Sequence, residues 1–204
     1  MEDSPQVPDP EGNEEIMRAT YKALCEYGYA DLTIERIAQK YGKTTAAIHY
    51  HYDTKDELLL AFLDYILGEY VSALHEVQAT DPEERLELLM DKLLMDPREH
   101  HDLLVALVEM RNQTPHKESF SRRFEENDQY ISYLLKTVIE QGIADGVFRD
   151  VDPDHIAQSL LMIVDGARAR SIFLDEENIL TDARQAVDEY LDSQLLVESD
   201  EDSP

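Results

Sequence analysis

The segment "GKTTAAIHYHYDTK", Gly42 to Lys55, gathers three threonines, two histidines, two tyrosines and two lysines into one short stretch. One chemistry open to such a set is recognition of a nucleic acid. Lysine and tyrosine groups bind phosphate oxygens, and threonine or alanine methyls fit the thymine methyl at a base edge. A second chemistry is metal binding by His49 and His51, but residues two apart on a helix face different ways. "REHH", Arg98 to His101, could also hold a metal, although a solvated helix start accounts for it. The residues three before each histidine are Ala46, Ile48, Ser72, Pro97, Arg98, Gln113 and Asp152, so no Glu-x-x-His pair for a di-iron bundle exists. A single cysteine, Cys25, excludes a cysteine-based zinc cluster. No metal and no cofactor are expected.

The elements that position this segment are helices. Thr33 reads as an N-cap, and Ile34, Ile37, Ala38 and Tyr41 make a short helix stopped by Gly42. Thr44 caps a second short helix to about Tyr50, and Thr54 opens a longer one through Leu74. Two short helices about a tight glycine break have the spacing of a helix-turn-helix. Ala38 is small where the helices cross, Gly42 accepts the positive φ of the turn, and Ile37 and Ile48 point to a shared core. The second helix then exposes Thr45, Ala46 and His49 toward base edges. Tyr50, His51 and Lys55 lie at its end and beyond, placed for phosphates, and Lys43 adds a further basic contact. Thr33 and Thr44 are caps first and candidate DNA contacts second. Tyr52 reads as a core wedge.

Ahead of this unit, Ile16, Ala19, Thr20, Ala23, Leu24 and Tyr27 mark an amphipathic helix ending at Gly28. Behind it, apolar periodicity predicts helices near 84–95, 99–112, 117–141, 154–174 and 181–195. The expected fold is all-α with nine helices and no strand. Residues 1–13 are acidic and expected to be disordered, and 197–204 form an acidic tail. A DNA-binding head is expected over 14–57 and a second helical domain over 58–196.

Charge sets this segment apart from the rest. The chain of 204 residues carries 45 Asp plus Glu against 18 Lys plus Arg, a net charge of −27. Between Thr33 and Lys55, Arg36, Lys40, Lys43 and Lys55 outweigh Glu35 and Asp53, four bases against two acids. Carboxylates spread from end to end of the chain repel one another unless screened, and at molar salt the Debye length falls to ~3 Å. The composition resembles that of proteins from organisms with molar internal salt, the alternative being an ordinary acidic mesophile protein. No run of ~18 apolar residues suggests a membrane span. The acidic, proline-rich start is unlike a signal peptide, so a cytoplasmic location is expected. No Gly-x-Ser-x-Gly, phosphate loop or Gly-x-Gly-x-x-Gly calls for an enzyme. A helical enzyme without motifs and a protein-only adaptor remain the alternatives to a DNA-binding regulator.

"LTIERIAQKYGKTTAAIHYHYDTKDELLLAF" resembles the N-terminal domain of TetR-type transcriptional repressors. The family pattern is matched by Thr33, Ile37-Ala38, Gly42, Thr44, Lys55-Asp56 and Leu58. "EQGIADGVFRDVDPDHIAQSLLMIVDGARAR" is similar to the C-terminal half of many members. Departures are Lys43, where a hydrophobic residue is usual, His49, where the family's most persistent tyrosine falls, and Tyr52, where phenylalanine is usual.

The resemblance implies a homodimer that binds a double-stranded, pseudo-palindromic operator and is released by a small-molecule effector. The helices behind the head imply an apolar or amphipathic effector. Leu104, Val108, Glu109, Arg111, Tyr130, Leu134 and Asp165 are the candidate pocket residues. Glu109 and Arg111 read equally as a solvated helix flank, and Asp165 as a surface residue. The strong apolarity of the last two helices predicts a four-helix dimer interface with Leu160, Val164, Gly166, Ala167, Val187 and Leu191.

Overall fold

The computed structural model describes residues 10–94, 97–174 and 178–197. Among them the chain forms nine α-helices. They are α1 (Pro10–Tyr27), α2 (Ile34–Tyr41), α3 (Thr45–His49), α4 (Lys55–His75), α5 (Pro82–Leu93), α6 (Pro97–Arg111), α7 (Glu118–Ala144), α8 (Pro153–Leu174) and α9 (Ile179–Gln194). One isolated antiparallel bridge joins Phe148 to Leu196. The first helix starts at Pro10, ahead of the head boundary expected at residue 14. Proline is tolerated in a first helical turn, where its missing N–H would be unpaired anyway. The rest of the expected acidic N-terminus, 1–9, and of the tail, 198–204, lies outside the described residues.

Helix starts follow local side-chain chemistry. Oγ1 of Thr33 accepts the N–H of Arg36 at 3.3 Å, and that of Thr44 accepts the N–H of Ala47 at 3.3 Å. Thr54 does the same for Glu57 at 3.1 Å. Asp81 accepts the N–H groups of Glu83 and Glu84 at 2.8 and 3.3 Å, ahead of Pro82 in the first turn of α5. Each cap satisfies an amide that the helix leaves orphaned. Two helices stop on glycines in the left-handed region, Gly28 (φ +68°) and Gly42 (φ +71°). Their N–H groups close onto Leu24 O and Ala38 O at 2.8 and 2.9 Å.

The chain divides into two compact units, Met1–Glu69 with His100–Phe124, and Tyr70–Glu99 with Glu125–Pro204. This differs from the linear boundary expected after residue 57, and burial explains the difference. Leu58, Leu59, Phe62, Leu63 and Leu67 of α4, Ala106 and Met110 of α6, and Phe120 and Phe124 of α7 are buried with the helices of the head. The core of the second unit holds Leu74, Leu86, Leu89, Leu135, Val138, Leu160, Val164, Val187 and Leu191, among others. By length and composition α4 could cross a membrane. Of its apolar residues, Leu58, Leu59, Phe62, Leu63 and Leu67 are buried in the first core and Leu74 in the second.

Candidate nucleic-acid interface

The geometry begins at Gly42. Its αL conformation turns the chain between α2 and α3 without steric conflict, and a Cβ there would meet nothing within 4 Å. Ile37, Ala38 and Ile48 are buried beneath the turn, as their spacing predicted. The short α3 is thereby held by one buried residue, Ile48, while Ala46 and His49 are exposed and Thr45 is half-buried. Tyr50, which caps α3, is 68% exposed and meets His51 edge-on at 5.1 Å between ring centroids. An apolar-anchored helix with Thr, Ala, His and Tyr on its outer side can present methyl, imidazole and phenol groups to a groove. Tyr52 is buried in the first core, and its hydroxyl donates to Asn13 Oδ1. Burial pushes this phenol's pKa up.

The basic residues around the turn are engaged within the chain. Lys43 Nζ lies 3.0 Å from both the Tyr41 hydroxyl and Glu15 Oε2, contacts that raise its pKa in that order. Lys40 pairs with Glu26, which holds its ammonium up and the Glu26 carboxyl down. Arg36 donates to Asp31 O and stacks over the Tyr27 ring at 4.5 Å. Lys55 departs from the sequence expectation of an outward phosphate contact. Its half-buried Nζ donates to Leu32 O at 2.8 Å and lies 5.4 Å from the Tyr29 ring centre. Desolvation, with Lys117 as a second cause, lowers its pKa. The side chain turns inward because the carbonyl end of the 29–32 turn and the Tyr29 face together accept a cation.

Two residues whose place here the sequence pattern did not reveal complete this corner. Lys117 pairs with Asp56 and faces the Phe120 ring at 5.2 Å. Glu109 of α6 accepts the backbone N–H of Tyr29 at 2.7 Å. Glu109 was a candidate pocket acid, and its carboxylate instead closes the turn after α1. No local pattern could reveal either contact, because the partners are far apart in sequence.

The other pocket candidates do not share one unit. Leu104, buried, and Val108 and Arg111, half-buried, belong with Glu109 to the first unit. The Arg111 guanidinium lies 5.3 Å from the centre of the Phe124 ring. Leu134, buried, Tyr130, half-buried, and Asp165, exposed, belong to the second. The Tyr130 hydroxyl bonds the His75 imidazole there.

The dimer candidates need correction. Leu160, Val164, Ala167, Val187 and Leu191 are buried inside the second unit's own core, where α8 packs on α9. They cannot also face a partner. Gly166 is exposed, on the opposite stripe of α8 with Met162, Ala169 and Phe173, spaced at i, i+4, i+7 and i+11. Met162 and Phe173 are 66% and 64% exposed. Among the described residues no group of three or more His, Cys, Asp or Glu is placed to hold a metal. Of "REHH", only the side chain of His101 is described, and it is exposed.

Residues 16–62 match the family described as "Bacterial regulatory proteins, tetR family". Residues 82–196 match "BetI-type transcriptional repressor, C-terminal". The crystal structure of a TetR transcription regulator from Haloarcula marismortui is 58% identical, with a TM-score of 0.89 over 92% of this chain and 100% of that one. A putative transcriptional regulator from Saccharomonospora viridis, solved with choline, shares the fold at 22% identity, with a TM-score of 0.81 over 93% of this chain and 100% of that one. The transcriptional repressor AcnR of Corynebacterium diphtheriae is 27% identical over 158 residues, 77% of this chain and 79% of that protein.

Proposed function

This chain belongs to the TetR family of transcriptional regulators, and from that premise we propose how it reads and releases DNA. It binds a pseudo-palindromic operator as a homodimer, acts as a repressor in the cytoplasm, and lets go when a small amphipathic effector binds. The observation that carries the DNA reading is the α2–Gly42–α3 turn, capped by Thr33 and Thr44, with Ala46, His49 and Tyr50 exposed beyond it. Thr45, Ala46 and His49 read base edges. Tyr50, His51 and Lys43 take phosphates, Lys43 by exchanging Glu15 for a phosphate oxygen. Lys55 supports the site from beneath by bonding Leu32 O.

Two copies present two such turns to successive major-groove faces, ~34 Å apart or somewhat more. The copies meet through the stripe of exposed Met162, Gly166 and Phe173 with half-buried Ala169, where a glycine allows close helix approach. The effector acts by favouring a spacing that no longer matches two grooves. Selection of binding sites from random double-stranded DNA in molar KCl tests the reading. A palindromic consensus whose half-site preference changes in His49→Ala is the expected result. Enrichment of no sequence would sink it.

A further inference from the structure

We propose, on the basis of the regulator reading above, that Arg168 and Tyr70 form the polar end of the effector site and that the effector is an amphipathic organic acid held by its carboxylate. Arg168 lies in α8, whose residues Val164 and Ala167 are buried in the second core. Its half-buried guanidinium donates from Nη2 to the Tyr70 hydroxyl and to Leu93 O, and it lies 5.4 Å from the Tyr70 ring centre. Both hydrogen-bond acceptors are neutral. The Nε of Arg168 is buried with no hydrogen-bond partner among the described residues. Arg184 of the same unit, by contrast, pairs with both Asp91 and Asp188.

The contrast matters because of the chain's composition. Acids outnumber bases 45 to 18, so an arginine placed without regard to function meets a carboxylate readily. A half-buried guanidinium whose Nη2 bonds neutral acceptors and whose Nε is unbonded among the described residues keeps a donor for an anion. Asp165, one turn earlier on α8, is exposed, and its charge acts on Tyr70 as well.

The donors also have the right pattern. Because Tyr70 accepts from Arg168, its own O–H remains to donate. Burial, the largest cause, raises the Tyr70 pKa and keeps that proton in place. Nε–H and the phenol O–H thus form a donor set without an acceptor, which matches two carboxylate oxygens. A cationic ligand would meet the guanidinium's repulsion. Apolar side chains lie close by, since Tyr70 packs against the core that contains Leu74, Leu93, Val164 and Ala167. A polar head held by Arg168 and a hydrocarbon tail within that core describe an amphipathic acid.

The test uses the full chain in 2 M KCl. Alkyl and aryl carboxylates of graded length are compared with the matching primary amides and alkyltrimethylammonium ions. Melting temperature reads binding, and fluorescence anisotropy of a selected operator reads release. One or more carboxylates should raise the melting temperature and weaken operator binding more than tenfold, while their amide and ammonium counterparts do neither. Arg168→Met should abolish both responses, and Tyr70→Phe should reduce them. Both variants should bind operator like the parent when no carboxylate is present. Helical circular dichroism of unliganded Arg168→Met, matching the parent at the assay temperature, answers the concern that the variant merely unfolds. The proposal is overturned if no carboxylate shifts the melting temperature, if amides or ammonium ions shift it as much, or if Arg168→Met keeps the shift. A carboxylate shift lost in Arg168→Met, in a parent that binds no operator, upholds the site and removes only the regulator reading.

Discussion

The Glu109 carboxylate accepts the backbone N–H of Tyr29 at 2.7 Å, tying α6 to the turn that follows α1. The same turn is held on another side by Lys55, which donates to Leu32 O. Removing the acceptor leaves a partly buried amide unpaired, a change worth ~1–3 kcal/mol. Glu109→Ala should therefore destabilise the protein by about that amount in urea titrations at molar KCl, and Glu109→Gln, which keeps an oxygen acceptor, by less. Equal losses in both variants would mean that charge and not the hydrogen bond holds the turn.

The head's roles separate by what each substitution does to sequence preference. Thr45→Ala and His49→Ala should change which bases are preferred, by ~1–3 kcal/mol for each base-edge interaction removed. Lys43→Ala should weaken all sequences alike, since phosphate contacts carry no base information. Lys55→Ala should lower the melting temperature as well, because its ammonium supports the 29–32 turn. Competition binding against a set of single-base operator variants, with a melt of each protein, checks all four. A Lys55→Ala protein with unchanged stability would return that residue to the DNA surface.

Much of this was legible in the chain, and the failures have a common cause. Helix starts at Thr33, Thr44 and Thr54 and the stops at Gly28 and Gly42 rest on short-range chemistry, which sequence spacing records directly. The roles of Ile37, Ala38, Ile48 and Tyr52 followed from the same local periodicity. Periodicity also marked the apolar stripes of α8 and α9, but it says only that a face is buried, not by what. Leu160, Val164, Val187 and Leu191 are covered by their own chain. The stripe left open, Met162 to Phe173, is interrupted by Gly166 and Ala169 and reads as weaker. Arg168 in "ARAR" was the overlooked signal: a half-buried cation within an apolar helix.

That open stripe gives a prediction of assembly. Phe173→Glu and Gly166→Glu each place a charge where two copies of α8 would meet. Both should give monomers by light scattering in molar KCl with helical content unchanged, and both should lose tight operator binding. A dimer that survives both changes would place the interface elsewhere.

Gly42 and Gly142 should respond differently to alanine. At Gly42 the cost is conformational, roughly 1 kcal/mol for a left-handed residue with open space around it. At Gly142 a Cβ would lie 2.1 Å from the Phe148 ring. Overpacking of that kind costs about 1–3 kcal/mol or more. Gly142→Ala should thus be the more destabilising in denaturant melts, and adding Phe148→Leu should recover part of the loss.

Salt dependence follows from the pairs around the turn and from the charge of the whole chain. The Glu83 carboxyl is raised, first by burial and then by Glu87, Asp81 and Asp192. A carboxyl whose folded pKa exceeds its unfolded value contributes stability that is complete below the unfolded value and lost as pH rises through the folded one. At low salt Glu83 should therefore contribute stability that is gained as pH falls through its raised pKa, and Glu83→Gln should raise the melting temperature at pH 7 while changing little below the ordinary carboxylate range. DNA binding obeys the same electrostatics. An ordinary protein with six to ten phosphate contacts loses ~10³–10⁵ in affinity between 50 and 200 mM salt through counterion release. Here Lys43 and Lys40 already carry Glu15 and Glu26 as counter-ions. A phosphate that displaces either carboxylate leaves it to take up a potassium ion, and this uptake offsets part of the release. The expected result is a shallow salt slope, with affinity held or rising toward ~1 M KCl, where screening also restores the fold. Glu15→Gln and Glu26→Gln should each raise affinity at low salt and steepen the slope by about 1. A parent protein fully folded at 50 mM KCl that loses its operator a thousandfold by 200 mM would remove the cation-uptake mechanism and leave the repressor reading standing.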